Sequence, residues 1–105
     1  MSPVLYKKNV IAGNSVDGLI SFDLKNKNIN WRLPIKNGVE AGGSIIRDTF
    51  FIGSNNGHVY SVNLINGSIN WQFDTKTEVV AEPLLDDGIL YFQSGSQSFY
   101  ALDAS

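Results

Sequence analysis

The sequence predicts an all-β fold, and three observations carry that expectation. A phrase of strand and turn signals runs from Ile52 to Trp71, stands forty residues earlier from Ala12 to Trp31, and begins again from Phe92 to Asp103. Trp31 and Trp71, Leu24 and Leu64, and Tyr60 and Tyr100 are each separated by 40 residues. Within the copies, apolar and polar residues alternate with the period of a half-buried strand, and no useful length holds a helical period. Repetition every 40–45 residues or so, with several strands in each unit, suits a propeller blade. The expected architecture is therefore a β-propeller segment of four-stranded antiparallel blades, about two and a half of them.

The strands follow in order. Ser2 to Tyr6 opens the first unit, with Pro3 tolerable because it stands at the strand's first position. Lys7-Lys8-Asn9 is a polar turn before the apolar run Val10 to Gly13, and Asn14 to Gly18 is the next turn, its Asp17-Gly18 suited to positive backbone dihedrals. Leu19 to Leu24 alternates as a strand. Ile29 to Leu33 is the fourth, its period placing Ile29, Trp31 and Leu33 on one face. Pro34 to Gly42 is a crossing connection.

The second unit repeats the plan. Its strands are Ser44 to Ile46, Phe50 to Gly53, His58 to Leu64 and Ser68 to Phe73, with Ile65-Asn66-Gly67 as the last turn. After the connection from Asp74 to Glu82 come Pro83 to Leu85, Ile89 to Gln93 and Phe99 to Asp103. The chain reads as a single domain over 1–105, with blade 1 at about 3–35, blade 2 at about 43–74 and a partial blade 3 at about 82–103. A blade buries its faces only against its neighbours, and two and a half leave open flanks. The expectation is a piece of a longer propeller, or a homo-oligomer that closes a ring from several copies; the partners are further blades or other proteins.

Composition narrows the function classes. A formal charge of -2, with Lys7-Lys8 as the one basic doublet, lacks the electrostatic footprint of a nucleic-acid surface. The chain has no cysteine, which removes disulfides, thiolate nucleophiles and Cys-based zinc sites. No run approaches the roughly 18 apolar residues of a membrane span, and Met1 to Lys8 holds no apolar core of a signal peptide.

Residues able to carry chemistry are few. His58, the single histidine, starts a strand directly after Gly57 and has no second His or Cys with which to share a metal; it reads as a strand-end polar residue. Asp86-Asp87-Gly88 and Asn55-Asn56-Gly57 offer oxygen ligands, yet they lack the spacing of a calcium loop, and Asx-Gly is what a hairpin turn demands. Glu40, Glu78, Glu82 and Asp74 lie in or beside the crossing connections, where no spacing pairs two of them, and read as solvated loop carboxylates. These residues supply no catalytic, cofactor-binding or metal-ligating set.

The stretch V-Y-S-V-N-L-I-N-G-S-I-N-W from Val59 to Trp71 resembles the PQQ-like repeat, whose usual form is L-Y-A-L-D-x-x-T-G-x-x-x-W. Leu19 to Trp31 and Phe99 to Asp103 resemble it in phase, so the resemblance covers essentially the whole chain. It implies a propeller and a place among quinoprotein dehydrogenases and non-enzymatic BamB-like proteins. By position Trp31 and Trp71 match the family's docking tryptophan, Gly67 its turn glycine and Ala101 its small strand residue. Lys27 replaces the glycine in the first unit, and Ser21 and Ser61 replace the alanine, departures that weaken the first copy as a docking unit. With no catalytic constellation among its residues, the chain is expected to be a non-catalytic protein-interaction scaffold without cofactor, similar to the BamB-like members, and the resemblance implies the bacterial periplasm or cell envelope. The alternatives are a fragment of an alcohol or sugar dehydrogenase that uses PQQ and calcium, or a propeller that senses a small ligand.

Overall fold

The computed structural model describes residues 1–14, 18–39, 42–77, 79, 82–95 and 98–105. Their eleven strands form three antiparallel sheets, each in sequence order. The first holds β1 (Val4–Tyr6), β2 (Asn9–Asn14), β3 (Gly18–Asp23) and β4 (Asn28–Pro34). The second holds β5 (Gly43–Ile46), β6 (Thr49–Gly53), β7 (His58–Asn63) and β8 (Ile69–Asp74). The third holds β9 (Leu84–Asp86), β10 (Ile89–Ser94) and β11 (Ser98–Asp103). This is a partial β-propeller, and among the described residues no helix is long and apolar enough to cross a membrane.

The same backbone devices recur at the sequence period. Residues 7, 47 and 87 each lead a two-residue hairpin turn with positive φ, at 54°, 53° and 51°. The carbonyl of the next residue then accepts a backbone N–H from the end of the third strand: Leu24 to Lys8 at 3.1 Å, Leu64 to Asp48 at 2.8 Å, Ala104 to Gly88 at 2.9 Å. The Asp or Asn that ends that strand folds its side chain back on the chain. Oδ1 of Asp23, Asn63 and Asp103 each accepts the N–H two residues on, at 2.9 Å. These short polar side chains favour such turns because they mimic a backbone carbonyl.

Alternation sends neighbouring residues into different cores. On β6 Phe50 and Ile52 enter a core shared with Tyr6, Ile11 and Leu19 of the first sheet, together with Tyr60, Val62 and Leu64. Phe51, between them, enters a second core with Val59, Leu90 and Phe92. The middle sheet is thus buried on both faces, and β6 and β7 read as nearly unbroken apolar runs for that reason. The connections contribute as well. Val79 is buried against Gly53, whose missing Cβ is the space that Val79 fills.

One expectation from strict alternation fails. Ile29 does not share a face with Trp31 and Leu33, because the β3–β4 register shifts: Trp31 pairs with Ser21, whereas Phe22 pairs with Ile29. Asn30 is the extra residue of a β-bulge, which turns every residue before it to the opposite face. The second sheet shifts identically at Asn70, with Trp71 opposite Ser61 and Ile69 opposite Val62.

Candidate functional site

The site with most structure behind it is the seam between the first and second sheets. The Trp31 indole N–H donates to the Leu64 carbonyl at 3.0 Å, and its ring lies on Gly67. A Cβ on Gly67 would stand 2.5 Å from Trp31 Cδ2, far inside van der Waals contact. Gly67 also has φ +77°, so its backbone favours, and the ring beside it requires, the absence of a side chain. The contact joins one repeat unit to the next, where a large aromatic with one donor both buries area and fixes spacing.

Beside this seat the bulge asparagines serve the strand behind them. Asn30 Nδ2 donates to Ser21 Oγ at 3.1 Å and to Asn9 Oδ1 at 3.0 Å, and Asn70 Nδ2 donates to Ser61 Oγ at 3.2 Å. Ser21 and Ser61 are buried, and these bonds satisfy their hydroxyls. The serines therefore come with partners, and Trp31 sits in its seat although its own unit carries Ser21 and Lys27. Lys27 adopts φ 59°, the conformation that Gly67 takes in the second unit.

Trp71 is half-buried, its ring 5.9 Å from that of Phe51, and it borders a groove with Phe73 and Leu102. Ala101 pairs with Tyr91 and is exposed. The structure brings Trp31 and Gly67 together and leaves Trp71 and Ala101 apart from them.

A second tie across the same seam has no cue in the sequence. The Tyr6 hydroxyl donates to Asp48 Oδ1, and Lys7 Nζ stands 3.2 Å from the same oxygen. Ile46 and Gly88 occupy the corresponding places one repeat later, so the period could not reveal the pair. Donation by Tyr6, and then by Lys7, holds the Asp48 carboxyl below its ordinary range. Burial, and then the Asp48 bond, pushes Tyr6 up.

The polar residues of the loops are spent on local order. Asp87 and Gly88 form a hairpin turn with φ 51° and 76°. Asp74 accepts the Lys76 N–H at 2.8 Å and pairs with its Nζ at 3.3 Å, which lowers its pKa. Glu82 lies against Gly42, whereas Glu40, Glu78 and Asp17 fall outside the described residues. His58 stacks on Tyr60 at 5.8 Å, with Nδ1 3.1 Å from Asn56 Oδ1. Ser54 Oγ donates to the same Asn56 oxygen, and Asn56 Nδ2 donates to the Tyr60 hydroxyl at 2.9 Å. Among the described residues no three of His, Asp or Glu gather where they could hold a metal ion.

Comparison with known proteins agrees with this geometry. The family model described as outer membrane protein assembly factor BamB matches residues 1–73 and again 46–105. BamB from Moraxella catarrhalis superposes with a TM-score of 0.79 at 16% identity, over 98% of this chain and 31% of that one. A europium-containing methanol dehydrogenase gives 0.80 at 13% identity, over 97% of this chain and 22% of that one. Beta-alanine-activating enzyme of Danio rerio is 46% identical over 39 residues, 37% of this chain and 3% of its own length. The chain thus spans less than a third of each of these proteins.

Proposed function

Because the chain belongs to the PQQ-like repeat family, described as that of outer membrane protein assembly factor BamB, we propose that it is a non-catalytic propeller segment acting as a protein-interaction scaffold. The observation that carries this reading is the seat of Trp31 on Leu64 and Gly67. The recurrent residues of the chain are those that hold sheet to sheet and close turns, which is the chemistry of a framework. Such a framework meets partners through loops and strand edges, by strand addition among other modes. Leu5, Leu84 and Phe99, at 67%, 64% and 70% exposure, offer apolar area at the surface. The partners would be cell-envelope proteins or further blades. The test is to cross-link the full-length parent in its source cells and to assay it, purified, with alcohols and sugars plus an artificial electron acceptor. Cross-links to a partner through the strand edges with no turnover are expected; turnover would sink the reading.

The fold shared with a methanol dehydrogenase supports a second reading, a fragment of a PQQ-dependent alcohol or sugar dehydrogenase. Among the described residues no three of His, Asp or Glu gather as a carboxylate-built calcium site would need. Quinone and calcium would then be held by residues outside them. Under this reading added quinone with calcium raises the melting temperature of the full parent by linkage; under the scaffold reading it does not.

A further inference from the structure

We infer that a cleft between the second and third sheets binds a small phenol. Its counterpart one repeat earlier, at the seam of the first and second sheets, is filled by the chain itself. There Tyr6 is 6% exposed and shares a core with Leu64, and its hydroxyl donates to Asp48. Forty residues on, each of these three is replaced by a smaller residue: Ile46 for Tyr6, Gly88 for Asp48 and Ala104 for Leu64.

The second seam is open where the first is closed. Ile46, Gly88 and Ala104 line a cleft of about 450 Å³, within the range of small-molecule sites. A Cβ on Gly88 would meet nothing within 4 Å, so space stands where the first seam has the Asp48 side chain. Phe51 takes the place of Ile11 and, at 2% exposure, gives the cleft an aromatic wall.

The lining selects the ligand. Phe51, Leu85 and Ile46 suit a flat apolar body, and a ring set against Phe51 gains edge or offset contact. The first seam joins three groups: a phenol, a carboxylate and the Lys7 ammonium, 3.2 Å from the same Asp48 oxygen. The second seam keeps two of the three. Arg47, in the place of Lys7, stands on one lip, and the carboxylates of Asp86 and Asp87 stand on the other. None of these forms an ion pair among the described residues. A ring hydroxyl entering the cleft thus finds a carboxylate acceptor, as that of Tyr6 does, in a charge-assisted bond.

The test is titration of the full chain with p-cresol, the side chain of tyrosine as a free molecule, followed by NMR of the backbone amides. The Gly88 amide should move, while that of Asp48, its counterpart in the filled seam, should stay. A ligand this small should show a dissociation constant of about 1 mM. Toluene, without the hydroxyl, should bind about tenfold more weakly, the size of a hydrogen bond to a charged group. Ile46→Tyr should fill the cleft from within and block p-cresol while keeping the urea midpoint. Ala104→Leu, a milder change toward the first seam, should weaken binding in the same sense. A free phenol and a tyrosyl side chain of a peptide share this chemistry: p-cresol bound without a Gly-Tyr-Gly peptide marks the first source, and both bound the second. No movement of Gly88, equal binding of toluene, or full binding by both folded variants would each overturn the inference. It stands apart from the scaffold reading, whose test does not involve this cleft.

Discussion

At Gly67 a side chain of one hydrogen leaves room for the Trp31 ring between two sheets. Substitution to Ala adds a methyl 2.5 Å from the Trp31 ring at a φ of +77°. The left-handed backbone costs about 1–2 kcal/mol, and overpacking adds roughly 1–3 kcal/mol. Gly88 is the control, since its φ is +76° and nothing stands within 4 Å of an added Cβ. Gly88→Ala should therefore lose only the backbone part. Urea midpoints of the two variants check this, and equal losses would mean that the ring contact contributes nothing. The residues of this seat were legible from the period, but the seat was not. Repetition aligns Gly67 with Trp71 of its own unit, whereas the ring it receives is Trp31 of the neighbouring one. A contact between copies leaves no trace in the spacing within a copy.

The strands themselves were readable to within a residue or two, because alternation and Asx-Gly turns act locally. The bulges were not readable. Nothing in I-N-W announces that Asn is an inserted residue, so counting by twos misplaced Ile29. Only the buried serine opposite gives the insertion a purpose, and that serine lies in another strand. Asn70→Ala should accordingly leave the Ser61 hydroxyl, 2% exposed, without its partner. The expected loss is about 1–3 kcal/mol. Adding Ser61→Ala should restore part of it, as the third unit already carries Ala101 in that place. A double-mutant cycle should give a coupling of at least about 0.5 kcal/mol; purely additive losses would separate the bulge from the serine.

Across the whole molecule, pH tests the seam and the turns together. Asp48 is held low chiefly by Tyr6, Asp23 by the Asn26 N–H, Asp74 by the Lys76 N–H and Asp103 by the Ser105 N–H. A depressed carboxylate stabilises the fold above its unfolded value of 3.8 and ceases to do so as pH falls through its folded value. Tyr6 and Lys7 are raised, Lys7 chiefly by Asp48, so their contribution is complete below 10.0 and 10.5 and fades as pH rises beyond. Melting temperature should be level between about pH 5 and 9 and fall on both sides. Tyr6→Phe should remove much of the alkaline fall and some of the acid one; an unchanged alkaline limb would detach Tyr6 from the effect.

The joint formed by Trp31 and Gly67 is not interchangeable along the chain. An incoming indole at the open flank of the first sheet meets Lys27, which has the backbone shape of Gly67 and a Cβ where Gly67 has only hydrogen. The first unit hands its tryptophan forward, and an indole arriving at Lys27 would need a seat of different shape from the one on Gly67. The seam has a direction, since the ring comes from one unit and the glycine from the next.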